Sequence, residues 1–167
     1  MEEFVYHRVP YNMVGRILYP LNALKEINQE LYEYQIQKYD GREYTKNKRI
    51  DKLKCNWGDV VFLSPIHPKI IIDEIEAVGF PKNNKQLWIK IPLNDLDLNN
   101  IVVDIDEDKF EFLKKVDFSK LKDLPEKTKQ YYRETYKKGG NPLILAYAPH
   151  LMYKGVIDIS NYEVFEV

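Results

Sequence analysis

Val60-Val61-Phe62-Leu63-Ser64-Pro65-Ile66-His67-Pro68 decides how this chain is read. Its first four residues are apolar on both faces of an extended backbone, as in a buried strand. Ser64-Pro65 breaks the run. Pro68 then opens a helical pattern over Pro68–Val78, and Gly79 stops it. A strand that ends in a polar turn and feeds a helix delivers its terminal groups to whatever the sheet surrounds. Phe4-Val5-Tyr6-His7-Arg8-Val9 has the same form, a strand closed by Pro10. Two of the three histidines, His7 and His67, sit in these two segments, and His150 lies beside Pro149 near the C-terminus. The three point to one shared cleft.

Outward from these segments, Leu21, Leu24, Ile27, Leu31 and Tyr34 recur at three- and four-residue spacing, which predicts a helix over 21–39. Asn22 is its candidate cap and Asp40-Gly41 its end. Residues 42–54 are strongly charged and read as an exposed helix or a loop. Residues 17–19 read as a short strand and 56–59 as a turn. A polar loop over 81–86 precedes an alternating strand at 87–91, a turn at 94–97 and a strand at 101–105. A helix is predicted over 121–138, with Pro125 in its first turn and Gly139-Gly140 as its stop. Three further strands are predicted over 143–147, 151–156 and 162–167. There is no internal repeat, no low-complexity linker and no regular βαβ alternation. The expected fold is one α+β domain over 1–167, with a mixed or antiparallel sheet of six or more short strands.

The chain has 167 residues, of which 44% are hydrophobic, enough for a real core and too apolar for disorder. The net charge of −1 lacks the electrostatic footprint of a general nucleic-acid binder, although 25 Lys and Arg leave room for a local basic patch. A single cysteine, Cys55, excludes an internal disulfide and a multi-cysteine metal site. No apolar run reaches the ~18 residues of a membrane span. Met1-Glu2-Glu3 is acidic and unlike the start of a signal peptide, so a cytoplasmic location is the expectation. Richness in Lys, Asn, Ile and Tyr fits an AT-rich genome, that of a low-GC bacterium or its phage.

His7 and Arg8 bring an imidazole and a guanidinium to a strand end, suited to a sugar hydroxyl and a phosphate. The plainer reading is a carbonyl-bonded histidine and a solvated arginine. Phe62 and Ser64 share one face of their strand. A ring beside a hydroxyl could stack a flat heterocycle, or could be core and turn. No histidine pair has metal-ligand spacing, and Gly139-Gly140 lacks the lysine of a phosphate loop. Asp104, Asp106, Glu107 and Asp108 read as a solvated acidic turn without the glycine of a calcium loop. The 13 tyrosines cluster at helical spacing in two places, as core or partner contacts.

Taken in order, these segments resemble the ADP-ribosyltransferase-like superfamily, especially its small bacterial branches: rifampin ADP-ribosyltransferases, RNA 2′-phosphotransferases and DNA-targeting toxins. Tyr6-His7 resembles the Tyr-His of that family's opening strand. Val60 to Ser64, followed by Pro68–Val78, is similar to its strand of apolar-apolar-aromatic-apolar-Ser/Thr that runs into a helix. Leu87 to Pro92 and Asp95 to Asn100 fit its next strand and turn loosely. His150-Leu151-Met152-Tyr153-Lys154-Gly155-Val156-Ile157 has the form of its terminal hairpin. The resemblance implies a split mixed or antiparallel β-sheet with flanking helices and NAD as the bound cofactor. It implies that His7 bonds a ribose, Arg8 contacts a phosphate, and Phe62 stacks on nicotinamide beside Ser64. It also implies that His150 or Asp158 stabilises charge at the anomeric carbon.

Two positions depart from the family pattern. Phe62 keeps the stacking ring without a tyrosine's hydroxyl, and His150 stands where the family carries an acid. Asp158 or Glu163 could substitute from the same hairpin. The departure at His150 keeps a second expectation open: a non-catalytic nucleotide-binding or protein-interaction module, of the kind used in bacterial–phage conflict. A third is a domain without a small-molecule site that docks a partner through the aromatic helix over 121–138.

Overall fold

Strand formation begins at Phe4–Arg8 (β1), and the chain then runs through Ile17–Leu18 (β2), Leu21–Ile27 (α1), Gln29–Ile36 (α2), Arg49–Ile50 (β3), Cys55–Asn56 (β4), Val61–Leu63 (β5) and Pro68–Val78 (α3). It continues through Leu87–Pro92 (β6), Ile101–Asp106 (β7), Lys109–Phe112 (β8), Glu126–Lys137 (α4), Leu151–Tyr153 (β9), Ile157–Asp158 (β10) and Glu163–Glu166 (β11). The computed structural model describes residues 1–82, 85–106 and 109–167. Glu107 and Asp108 of the expected acidic turn lie outside the described residues, as do Asn83 and Asn84 of the polar loop. The fold is α+β.

Two antiparallel sheets dominate, in the orders β1-β6-β11 and β5-β9-β7-β8. They meet at a single bridge between Tyr6 and Ser64, whose backbone N–H and C=O groups exchange two bonds of 2.8 Å. Alternation along the strands divides three cores. Val5, Ile89 and Ile91 join Val61, Leu63, Val103 and Leu151 in the largest, between the two sheets. On the other face of the four-stranded sheet, Val102 and Met152 are covered by Ile50, Leu53 and Cys55 of the β3–β4 hairpin. The third core joins α3 to α4 through Ile71, Ile75 and Tyr132, and includes Ala148.

Punctuation explains α3. His67 caps it, with Nδ1 accepting from the Lys69 N–H at 3.1 Å, Pro68 occupies its first turn, and Gly79 ends it at φ +121°. Elsewhere the structure corrects the sequence reading. The helix expected over 21–39 is broken at Asn28, whose side chain accepts from Leu31 N and restarts the chain as α2. Asn22 does not cap; it donates to Asp59 Oδ1 at 2.8 Å. Residues 42–54 form 3₁₀ turns around the β3–β4 hairpin. The last helix starts at Glu126, with Pro125 at its N-cap.

The expected strand over 143–147 is a turn, because α4 takes its backbone groups. Tyr131 Oη accepts from Leu143 N at 3.0 Å, the Tyr132 hydroxyl donates to Ile144 O, and Tyr147 adopts φ +59°. Two short stretches also share a turn geometry, with leucine first and aspartate fifth in each. In 93–100 Leu96 N bonds Leu93 O and Asp97 accepts from Asn99 N; in 113–120 Val116 N bonds Leu113 O and Asp117 accepts from Ser119 N.

Candidate functional site

The split between the sheets brings β1 against β5, and there His7 Nδ1 lies 2.7 Å from Phe62 O. A carbonyl only accepts, so Nδ1 carries the proton and Nε2 is left as an acceptor in the neutral ring. Burial pushes the His7 pKa down and the nearby Lys38 adds to this, against the opposing bond to the Phe62 carbonyl. His7 is therefore neutral at physiological pH. Lys38 itself, from the 3₁₀ turn Gln37–Tyr39, is held below the usual lysine value by desolvation, although the residue keeps solvent contact.

Phe62 is the centre of an aromatic group. Its ring lies 5.0 Å from Trp57 and 6.2 Å from His150, with the His150 ring edge-on to it at 86°. Trp57 also meets Phe110 at 6.5 Å and lies close enough to the Tyr39 hydroxyl to act on its pKa, and Lys48 Nζ lies 5.6 Å from its ring centroid. His150 reaches this place through register. Met152 pairs with Phe62 on one side and Val102 on the other, and His150, two residues earlier, shares the face of Met152. Burial lowers the His150 pKa, against the opposing influence of the Ala148 carbonyl. Two neutral imidazoles thus lie at Phe62, His150 edge-on to its ring and His7 at its backbone carbonyl. All four residues His7, Trp57, Phe62 and His150 are partly exposed. Such a group can stack a flat ring and accept hydrogen bonds from hydroxyls.

The other expected site residues lie apart from this group. Arg8 is exposed and, by alternation, on the opposite face of β1 from His7. Ser64 is 2% exposed, and its Oγ is spent on Ile66, donating to the carbonyl and accepting from the N–H, each at 3.1 Å. Asp158 belongs to the β10–β2 pair, and its carboxylate accepts from Ser160 N at 2.9 Å and from the Ser160 hydroxyl. Those bonds hold its pKa below the usual carboxylate range. Among the described residues it shares no hydrogen bond or ion pair with either imidazole. Glu163 pairs with Lys90 at 3.5 Å on the β11–β6 ladder.

His67 belongs to a different group. It meets Tyr6 at 5.0 Å and Phe165 at 5.5 Å, beside a cavity of about 160 Å³ lined by Phe4, Tyr6, Pro65, His67, Ile70 and Lys122. Burial lowers its pKa, and Lys90 and Lys69 add to the shift.

Sequence reasoning did not single out Trp57 and Lys38, and it read Asp104 as part of a solvated turn. Asp104 is a strand residue, not part of a turn. It stands two positions from Val102, on that residue's face; its N–H bonds His150 O at 3.4 Å, and Oδ1 is buried. The alternation Val102, Val103, Asp104 carried that signal. Nothing local marks Trp57 or Lys38, which arrive from separate turns. Among the described residues no three His, Cys, Asp or Glu side chains group as metal ligands, and no helix is long and apolar enough to cross a membrane. Compared with family models, with curated proteins and with solved structures, the chain matches none.

Proposed function

We propose that this chain is an ADP-ribosyltransferase-like domain that binds NAD or an ADP-ribose-type nucleotide at the His7–Phe62–His150 group. The bond from His7 Nδ1–H to Phe62 O carries the reading. It fixes one imidazole on the main chain of the residue whose ring meets Trp57 and His150, with Nε2 as the acceptor for a sugar hydroxyl and that ring as a surface for a flat base. The split of the antiparallel sheet at Tyr6 and Ser64 agrees with the fold that the resemblance implies. Lys38 is close enough to act on His7, whereas Arg8 lies on the opposite face of β1.

Binding without catalysis is the second reading, and one observation favours it: Asp158 is turned onto Ser160. The transferase reading then depends on Asp104, the carboxylate residue on the same sheet face as His150. Asp104→Asn should abolish any release of nicotinamide from NAD while leaving nucleotide binding within about twofold. Release that survives the substitution removes Asp104 from the chemistry.

Thermal melting with NAD and with ADP-ribose tests the binding itself. A ligand specific for the folded state stabilises by ~2.7 kcal/mol at a hundredfold excess over Kd. His7→Ala should weaken binding about tenfold, the loss of one hydrogen bond of ~0.5–1.5 kcal/mol, with the fold retained. No shift with millimolar nucleotide, or a destabilised variant with unchanged affinity, overturns the proposal.

A further inference from the structure

Charge in this chain is unevenly placed. Residues 42–54 hold six basic side chains (Arg42, Lys46, Lys48, Arg49, Lys52, Lys54) against two acidic ones (Glu43, Asp51). The totals of 25 basic and 26 acidic residues leave 19 against 24 elsewhere. The fold extends this stretch into a face. Lys52 and Lys114 approach the Phe112 ring from 3₁₀ turns before β4 and after β8, at 5.6 and 5.4 Å from its centroid. Lys52 and Lys115 share the Glu111 carboxylate at 3.3 and 3.9 Å. Lys154 donates to Leu53 O at 2.9 Å, and both Lys154 and Arg49 are close enough to act on the Cys55 thiol. Glu111 thus serves two lysines and Asp51 pairs with Arg49 at 3.6 Å, while Arg49, Lys54, Lys114 and Lys154 keep solvent contact.

This face adjoins the aromatic group. Trp57, which packs on Phe62, receives Lys48 over its ring and bonds Lys48 O through its own N–H at 2.7 Å. Within the same basic stretch Tyr44 is 77% exposed. An exposed ring among cations is the combination that holds a nucleic-acid strand with unpaired bases: cations follow the phosphates and the ring stacks a base. A duplex hides its base faces, whereas a single strand offers both phosphates and open base faces.

We propose that the face formed by residues 42–54 with Lys114, Lys115 and Lys154 binds the backbone of a single-stranded nucleic acid beside the Phe62 group. The inference goes beyond nucleotide binding and does not depend on it. Fluorescence anisotropy of the full chain with a labelled single-stranded oligonucleotide tests it, between about 50 and 200 mM salt. Affinity should fall with salt. Charge reversal at Arg49→Glu, Lys52→Glu and Lys114→Glu should weaken binding at least about tenfold and flatten the salt dependence by ~0.7 for each phosphate contact removed. Tyr44→Ala should weaken it about fivefold or more at constant charge.

The pair Lys114→Glu and Lys115→Glu, which leaves the hairpin untouched, serves should the triple variant fail to fold, and should weaken binding by a smaller factor in the same direction. NAD-induced stabilisation of these variants should equal that of the parent chain, which separates this proposal from the one above. No binding at low salt, equal binding by the charge-reversed chains, or equal competition by duplex or by polyglutamate overturns it.

Discussion

His7 and His67 stand on opposite sides of the Tyr6–Ser64 bridge, and their Nδ1 atoms do opposite things. His7 Nδ1 donates to a carbonyl at 2.7 Å; His67 Nδ1 accepts from an amide at 3.1 Å. In the neutral rings, His7 therefore presents Nε2 as an acceptor and His67 presents Nε2 as a donor. The same residue type, held a few residues from one bridge, offers opposite polarity to its surroundings. The backbone group each ring meets decides which. For His67 that group is the first turn of α3, so its role is a helix cap. For His7 it is a strand carbonyl whose hydrogen bond leaves the outer nitrogen for something else.

Variants can break this comparison in graded steps. Leu63 of β5, between Phe62 and the bridge residue Ser64, is 1% exposed in the largest core. Leu63→Ala should cost ~2–5 kcal/mol, as measured by urea unfolding. Ser64→Ala strips the bridge residue of two bonds to Ile66 and should cost ~1–3 kcal/mol. His67→Ala should cost ~0.5–2 kcal/mol through the lost cap and leave nucleotide affinity unchanged, whereas His67→Asn, which keeps a capping acceptor, should recover most of that stability. A loss of affinity in either His67 variant, with stability intact, would make the two histidines parts of one site.

The smallest effect is on pH dependence. His7, His67 and His150 all have folded pKa values below the ordinary histidine value, chiefly through burial. The unfolded chain therefore binds protons that the folded chain refuses. Stability from these rings is fully present above about pH 6.5 and declines as pH falls from there through their folded pKa values. For His67, protonation also destroys the acceptor that caps α3. Denaturant midpoints measured from about pH 7.5 down to pH 5 should fall less steeply in His67→Asn than in the parent.

What the residue order reveals depends on how local each cause is. The β5–α3 unit is legible because Pro68 and Gly79 act within one turn of where they stand. β1, β6 and β7 follow from their own apolar runs. The segment 143–147 has an apolar run too, yet Tyr131 and Tyr132 of α4 hold it in a turn, and no local pattern records that clamp. The site divides the same way. His7, Phe62 and His150 could be singled out one by one, but 55 residues separate His7 from the carbonyl that sets its tautomer. Asp158 looked like an available acid until Ser160, two residues on, proved to occupy it.

The order of strands in the larger sheet has a consequence for synthesis. β9 lies between β5 and β7, so the two are joined only through residues 151–153. While a ribosome is still adding the residues between α4 and β9, the emerged chain holds β5 and β7 with edges facing an empty lane. Unpaired edges of that kind invite pairing with other chains. The nascent chain therefore passes through its most adhesive stage late, and His150 arrives with the strand that ends it.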